Sequence, residues 1–322
     1  MLRFLIRRIL FGLLVLWIIA TAVFFLFFVA APGDPARLFA GRQATAETVA
    51  AVRHQLGLDR PLFAQYWDYL SGLLHWPPDL GTSFLNQEPV LNTIVQRLPV
   101  SISIALGAAV LWLLIGIPIG ILAATRPRSL ADRSATVIAL AGLSMPTFVL
   151  GMLLFNLFFY QLTKAGYAIF PATEYVPLLP NPIEWARHLF LAWLTLALVF
   201  AATYSRLTRG SLLEVLGEDY IRTARAKGMP ERTVVFRHGL RSALIPIVTL
   251  FGLDLGALLG GTIVTEKIFG LPGLGALAVQ SVFSQDLPVI MGTVLVTAFF
   301  VVVANIVVDM AYAILDPRVR LT

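Results

Sequence analysis

The sequence contains no cysteine. Disulfides, thiolate metal sites and thiol nucleophiles are therefore excluded together. Charge is the second scarcity: 13% of the 322 residues are Asp, Glu, Lys or Arg, against about 25% in an average soluble domain. With 58% of residues hydrophobic, a water-facing surface cannot be assembled, and a length that would suggest about two soluble domains loses its meaning. Enzyme signatures are missing as well. None of His54, His75, His188 and His238 is followed by Glu, and no Gly-x-Ser-x-Gly occurs, so the metalloprotease and hydrolase motifs are absent. The three lysines, Lys164, Lys227 and Lys267, precede Ala, Gly and Ile. A Walker A loop needs Lys followed by Ser or Thr to grip phosphate and magnesium; no ATPase site is written in this chain.

What fills the sequence is uninterrupted apolar residues. Blocks run from Ile9 to Ala31, Val100 to Ala124, Val137 to Leu162, Leu189 to Tyr204, Ala243 to Val264 and Leu287 to Val308. At ~1.5 Å per residue, ~20 residues cross the ~30 Å of bilayer hydrocarbon. The first block, 23 residues long, exceeds the ~7–15 of a signal peptide and reads as a retained helix. The fourth, with 16, is the shortest. The fold class expected is an all-α polytopic membrane protein with six transmembrane helices. Its organisation reads as a helix over 1–31, an extracytoplasmic insertion over 32–98, and a core of five helices over 99–322. The insertion carries helical stretches near Ala46 to Leu56 and Phe63 to Leu74, the second rich in aromatics.

Six crossings put both termini on one side. Sixteen Lys and Arg fall on that side and eight on the other, so the positive-inside rule places the termini and the Ser205–Ser242 loop in the cytoplasm of a multi-pass cell-membrane protein. The net charge of +6 is thus topology, and no nucleic acid is implied.

The 205–243 loop is the distinctive segment. Helix formers fill Ser211 to Lys227, Gly228 sits where a helix end wants positive φ, and Pro230 and Glu231 suit the start of a second helix. Ala224, Ala226 and Gly228 keep the turn low. Basic amphipathic loops also rest on anionic lipid, a reading the residues leave open; the four acids among its eight bases speak against DNA.

The stretch Glu218-Asp219-Tyr220-Ile221-Arg222-Thr223-Ala224-Arg225-Ala226-Lys227-Gly228, followed by Arg237-His238, resembles the coupling segment of ABC-importer permeases. The match is to the peptide/nickel branch that includes dipeptide and oligopeptide permeases. Against the general Glu-Ala-Ala-x-x-x-Gly motif, Arg222, Thr223 and Ala224 match at one position, as that branch does. Further similar stretches follow in family order: Pro32-Gly33-Asp34-Pro35, Asp79-Leu80-Gly81-Thr82-Ser83, Ser144-Met145-Pro146-Thr147-Phe148, Leu259-Gly260-Gly261 with Glu266, Pro272-Gly273-Leu274-Gly275, and Leu315-Asp316-Pro317-Arg318-Val319. The resemblance implies a type I importer fold whose 205–243 segment is a cytoplasmic coupling loop. It also implies a second homologous permease, two ATP-binding subunits or domains that carry the ATP and Mg²⁺, and an extracytoplasmic substrate-binding protein. This chain itself would hold no cofactor and no metal. The coupling residues implied are Glu218, Asp219, Tyr220, Arg222, Ala224, Arg225, Lys227, Gly228, Met229 and Glu231. Peptide, nickel and glutathione permeases share these motifs.

A charge inside a span costs roughly 2.5–3.5 kcal/mol on insertion scales, which singles out Asp254 as a candidate for the translocation path, with an interhelical hydrogen bond as its alternative. The branch resemblance leads one to expect an uncharged polar residue there. Asn305 and Asp309, one turn apart, Asn156, and Met145 beside Pro146 complete the candidates; Arg318 or Arg320 is an alternative partner for Asp309. A secondary transporter would need more intramembrane ionisable groups and internal repeats, and neither is evident.

Overall fold

A backbone inside hydrocarbon has no water to bond to, so each long apolar run must close its own hydrogen bonds as a helix. The computed structural model describes residues 2–30, 34–40, 44–55, 57–171 and 174–315. Six of its helical segments are long and apolar enough to cross a membrane: Phe4–Val29, Val90–Thr125, Thr147–Lys164, Pro182–Leu216, Glu231–Leu258 and Leu287–Met310. The described residues contain no strand, only an isolated bridge between Thr82 and Pro89.

In chain order, α1 (Leu2–Phe25) continues into a π-helical turn, Leu26–Ala30, and leads to three short helices, α2 (Pro35–Ala40), α3 (Ala46–Gln55) and α4 (Leu62–Leu74). Then come α5 (Val90–Thr125), α6 (Leu130–Ser144), and α7 (Thr147–Leu154), which is extended by π-helical Phe155–Gln161. After α8 (Pro182–Leu216) and the short α9 (Asp219–Ala226), α10 runs from Glu231–Thr233 through π-helical Val234–Gly239 into Leu240–Gly261. The last three are α11 (Ile263–Ile268), α12 (Leu274–Ser284) and α13 (Leu287–Leu315). The alternation of the spans gathers the start of α1, residues 126–129, residues 217–230 and the end of α13 at one end of the bundle. The short helices α2–α4 and α11–α12 lie at the other.

Three sequence expectations change. The block Val137 to Leu162 is not one helix: Pro146 cannot donate a backbone hydrogen bond and holds Met145 extended (φ −93°, ψ 124°), so the chain breaks between α6 and α7. The 16-residue block is the middle of α8, 35 residues long. Its charged ends are accommodated because Arg187 pairs with Glu184 and Arg209 with Asp132. Residues 205–243 are mostly not a loop. Ser211 to Leu216 belongs to α8, residues 231–243 belong to α10, and only 217–230 turn the corner.

Packing follows small residues. A methyl on Gly107 would overlap the Trp193 ring, and one on Gly116 or Gly120 would press on Tyr204, Ala201, Ser205 and Thr208, so α5 and α8 lie in direct backbone contact. Trp112, fully buried, stacks on Phe200 (4.7 Å) at the centre of this pair. Gly252 and Gly256 of α10 face Val308 and Val301 of α13. Close packing therefore accounts for these two glycines.

Candidate coupling surface and translocation path

At the turn, α8 ends at Gly217, whose amide bonds back to the carbonyls of Glu214 and Val215. Glu218 adopts the extended conformation of a helix N-cap (φ −69°, ψ 151°) and α9 begins with Asp219, an acid at the positive end of the helix dipole. The helix ends at Lys227, and Gly228 follows at φ +75° with nothing within 4 Å of where a Cβ would stand. The amide of Gly228 bonds the Arg225 carbonyl (2.9 Å) and that of Met229 the Ala224 carbonyl (3.3 Å). Pro230 then precedes Glu231 at the start of α10. Arg225 closes the turn with two bonds to Glu231, Nη2–Oε1 at 2.6 Å and Nε–Oε2 at 3.1 Å.

The turn has two faces. Ile221 and Ala224 are buried against Val234, with Met229, Val215 and Leu216 packed around them. Ala224 and Met229 therefore form the underside of the turn. The outer face presents Glu218, Asp219, Tyr220, Arg222, Arg225, Ala226, Lys227 and Gly228, all exposed. Arg222 reaches Asp219 at 3.3 Å, and the Tyr220 hydroxyl donates to Ser242 Oγ at 3.2 Å. Chemically this is a shallow, charge-rimmed protrusion anchored by a small apolar core.

A second feature at this end joins α6 to α8. Ser129 caps α6, accepting from the Asp132 amide (3.2 Å), and Asp132, 4% exposed, holds Arg209 of α8 through Nε–Oδ1 (2.6 Å) and Nη2–Oδ2 (3.0 Å). The Arg128 amide adds a bond to Oδ2 (2.9 Å). The Arg209 guanidinium, helped by that amide, keeps the Asp132 carboxyl below the usual carboxylate range. The Ser-x-x-Asp spacing of a capping box was legible; its tertiary partner was not.

The path candidates bond to different partners. Asp254, half-buried, accepts a hydrogen bond from the Tyr204 hydroxyl (2.9 Å), which ties α10 to the α5–α8 pair. Asp309 pairs with Arg8 of α1 at 3.0 Å; Arg318 and Arg320 lie outside the described residues. Asn305 donates to the Val301 carbonyl of its own helix (2.9 Å). Asn156 is exposed on the π-helical extension of α7, and Met145 sits at the α6–α7 break.

Two of the remaining sequence stretches, Pro272–Gly275 with Glu266 and Asp79–Ser83, are junctions at the opposite end; residues 32, 33 and 316–319 lie outside those described. Glu266, 1% exposed, accepts from Ser101 Oγ (2.8 Å), Thr262 Oγ1 (2.7 Å) and the Ala276 amide (2.7 Å), while Ser101 Oγ accepts from the Leu274 amide (2.8 Å). Glu266 and Ser101 thus supply, from two other helices, the N-terminal cap that α12 lacks in its own Gly273. A side chain at Gly273 would overlap the Glu266 carboxylate. Nearby, Asp286 accepts from the Phe84 amide (3.0 Å) and from Ser83 Oγ, fastening the Asp79–Ser83 stretch to the start of α13.

Comparison with known proteins agrees with this architecture. Residues 116–321 match the family model of the binding-protein-dependent transport system inner membrane component, and residues 1–105 match that family's N-terminal membrane component. A putative peptide transport system permease protein of Brucella abortus is 45% identical over 289 residues, 90% of each chain. The glutathione transport system permease protein GsiC of Escherichia coli O6:H1 is 42% identical over 320 residues, 99% of each. A solved structure of the MetNI methionine ABC transporter in inward-facing conformations shares the fold, with a TM-score of 0.54 at 21% identity over 70% of this chain and 97% of that one. The chain belongs to the binding-protein-dependent transport system inner membrane components, the multi-pass permease subunits of ABC importers.

Proposed function

We propose that this permease forms the path by which small peptides enter the cell, and that it is driven by partner subunits that hydrolyse ATP. The observation that carries the reading is the protruding turn at 217–230: exposed charges, a glycine in open space and an apolar underside rigidly joined to α8 and α10. Such a protrusion suits a cleft on an ATP-binding subunit, whose closure would move α8 and α10 together. Arg222, Arg225, Lys227 and Glu231 rim the contact, Glu218, Asp219 and Tyr220 flank it, and Ala224 and Met229 support it from below. Two ATP-binding subunits, which hold the ATP and Mg²⁺, a second homologous permease and an extracytoplasmic binding protein complete the assembly. The distribution of basic residues supports a cytoplasmic position for the turn and both termini, with the 32–98 insertion outside.

The peptide assignment is supported by the names of the relatives, one for peptides and one for glutathione, itself a small peptide; nickel is the alternative the motifs share. Asp254 is the membrane-embedded carboxylate best placed to meet a substrate amine, since it is only half-buried and Tyr204 holds one of its oxygens. Labelling an Asp254→Cys variant with a membrane-impermeant thiol reagent checks this in a chain without native cysteine. State-dependent labelling supports a hydrated path; no labelling in either the resting or the ATP-trapped transporter removes Asp254 from it. The coupling assignment is tested with Gly228→Val. We expect the variant to reach the membrane in normal amount, lose peptide uptake and co-purify poorly with ATP-binding subunits. Normal uptake with normal co-purification overturns the assignment.

A further inference from the structure

We infer that α4, inside the insertion expected on the extracytoplasmic side, lies in the bilayer interface, with one face against lipid. Its apolar residues sort into two stripes. Tyr66 and Tyr69 turn toward α1, where their rings lie 5.3 and 5.5 Å from that of Phe24. Phe63, Trp67, Leu70 and Leu74 follow each other at four, three and four residues, one helical face. Most of that face is bare: Phe63 is 77% exposed, Trp67 62% and Leu74 87%, with Leu70 half-buried among them, and Trp76 just beyond is 94% exposed.

Depth is fixed by a hydrogen bond. Thr21 Oγ1 donates to the Trp17 carbonyl (2.8 Å), so the Tyr66 hydroxyl at 2.7 Å is the donor to Thr21. At 1.5 Å per residue, Thr21 lies about 20 Å beyond Arg8, inside a hydrocarbon layer about 30 Å thick. The helix bound there, with its aromatics beside Phe24 and Phe25, sits at the level where Trp and Tyr belong in a membrane protein. The charges are arranged to match. Asp68, the one charged residue of α4, is roughly opposite the aromatic stripe and pairs with Arg60. Gln65, also on that side, bonds the carbonyls of Leu58 and Arg60. The polar side of α4 lines, with Asp79 and Thr82, a cavity of about 340 Å³ on the protein side. An apolar stripe continuous with a membrane span, with the polar residues turned away from it, fits a lipid surface.

The test uses single cysteines in the native cysteine-free chain, at Phe63→Cys, Trp67→Cys and Leu74→Cys, with His54→Cys of α3 as a water-exposed control (86% exposed side chain). The full transporter is placed in vesicles without binding protein, and each label is read on this chain's own band. We expect a membrane-impermeant maleimide to label positions 63, 67 and 74 at least tenfold more slowly than position 54. A bimane fluorophore at 63 or 67 should be quenched by shallow spin-labelled lipid. Labelling as fast as at position 54, blocked only when binding protein is added, would make the stripe a protein-docking face and overturn the inference. Slow labelling without lipid quenching would mean that protein covers it, and would overturn it equally. These readouts do not involve uptake, so they stand apart from the peptide and coupling assignments.

Discussion

Two glycine turns at opposite ends of the bundle look alike as sequence and differ in everything physical. Ala226-Lys227-Gly228-Met229 and Pro272-Gly273-Leu274-Gly275 both lie beside short helices and both figure in the family resemblance. Gly228 is needed for its backbone, φ +75°, with open space around it. Gly273 has an extended backbone that any residue adopts (φ −92°, ψ −175°), and is needed because the Glu266 carboxylate occupies the place of its side chain. The first turn leaves a surface free for something else to cover; the second consumes its polar groups internally. A glycine in a family motif thus has no single meaning, and its surroundings decide whether a substitution costs function or fold.

The comparison can be broken at several points. The largest effect is expected at the closed end. Gly273→Val must displace a buried carboxylate from its donors, an overpacking cost of about 1–3 kcal/mol added to about 1–3 kcal/mol for a buried group left unsatisfied. Membrane abundance and thermal stability should both fall sharply. A stable Gly273→Val protein would show that the Glu266 cluster is loose. Next comes Glu266→Ala, which removes the acceptor of Ser101, Thr262 and the Ala276 amide and should cost about 1–3 kcal/mol. Glu266→Gln keeps one carbonyl oxygen and should cost less in the same thermal assay; an equal loss would point to a requirement for the charge itself.

Gly228→Ala probes the open end. With nothing nearby to strike, its cost is backbone strain alone, about 1–2 kcal/mol, so abundance should be nearly normal while uptake falls. A variant as unstable as Gly273→Val would erase the contrast. The smallest effect on stability belongs to Glu231→Gln. It breaks the exposed pair with Arg225, worth about 0–1 kcal/mol, and should leave the melting temperature within a degree or two while altering co-purification with ATP-binding subunits.

How much of this was legible in the sequence differs from place to place. The six spans were readable because block length and apolarity bear directly on the bilayer, although boundaries failed wherever charges sat at helix ends. Leu189 to Tyr204 grew into Pro182–Leu216 because Glu184, Arg187, Arg206 and Arg209 interrupt a hydropathy run without interrupting a helix. The turn at Gly228 was readable because positive φ is a local demand on a single residue. That Ala224 faces inward was not, since a small residue is equally suited to a bare surface and to a tight contact.

The sequence by itself determined a membrane-embedded helical protein with a glycine turn between two helices, because chain length, hydropathy and turn chemistry are local quantities summed along the chain. Only the tertiary structure decided which polar groups are partners: Asp132 with Arg209, Tyr204 with Asp254, Asp309 with Arg8, and Glu266 with Ser101 and the start of α12. The residues of these pairs lie from ten to about three hundred positions apart. Once buried, each must find a donor or acceptor, but which one it finds depends on how the helices rotate and cross, and that is set by the packing of Gly107, Gly116, Gly120 and Gly252 against whole neighbouring helices.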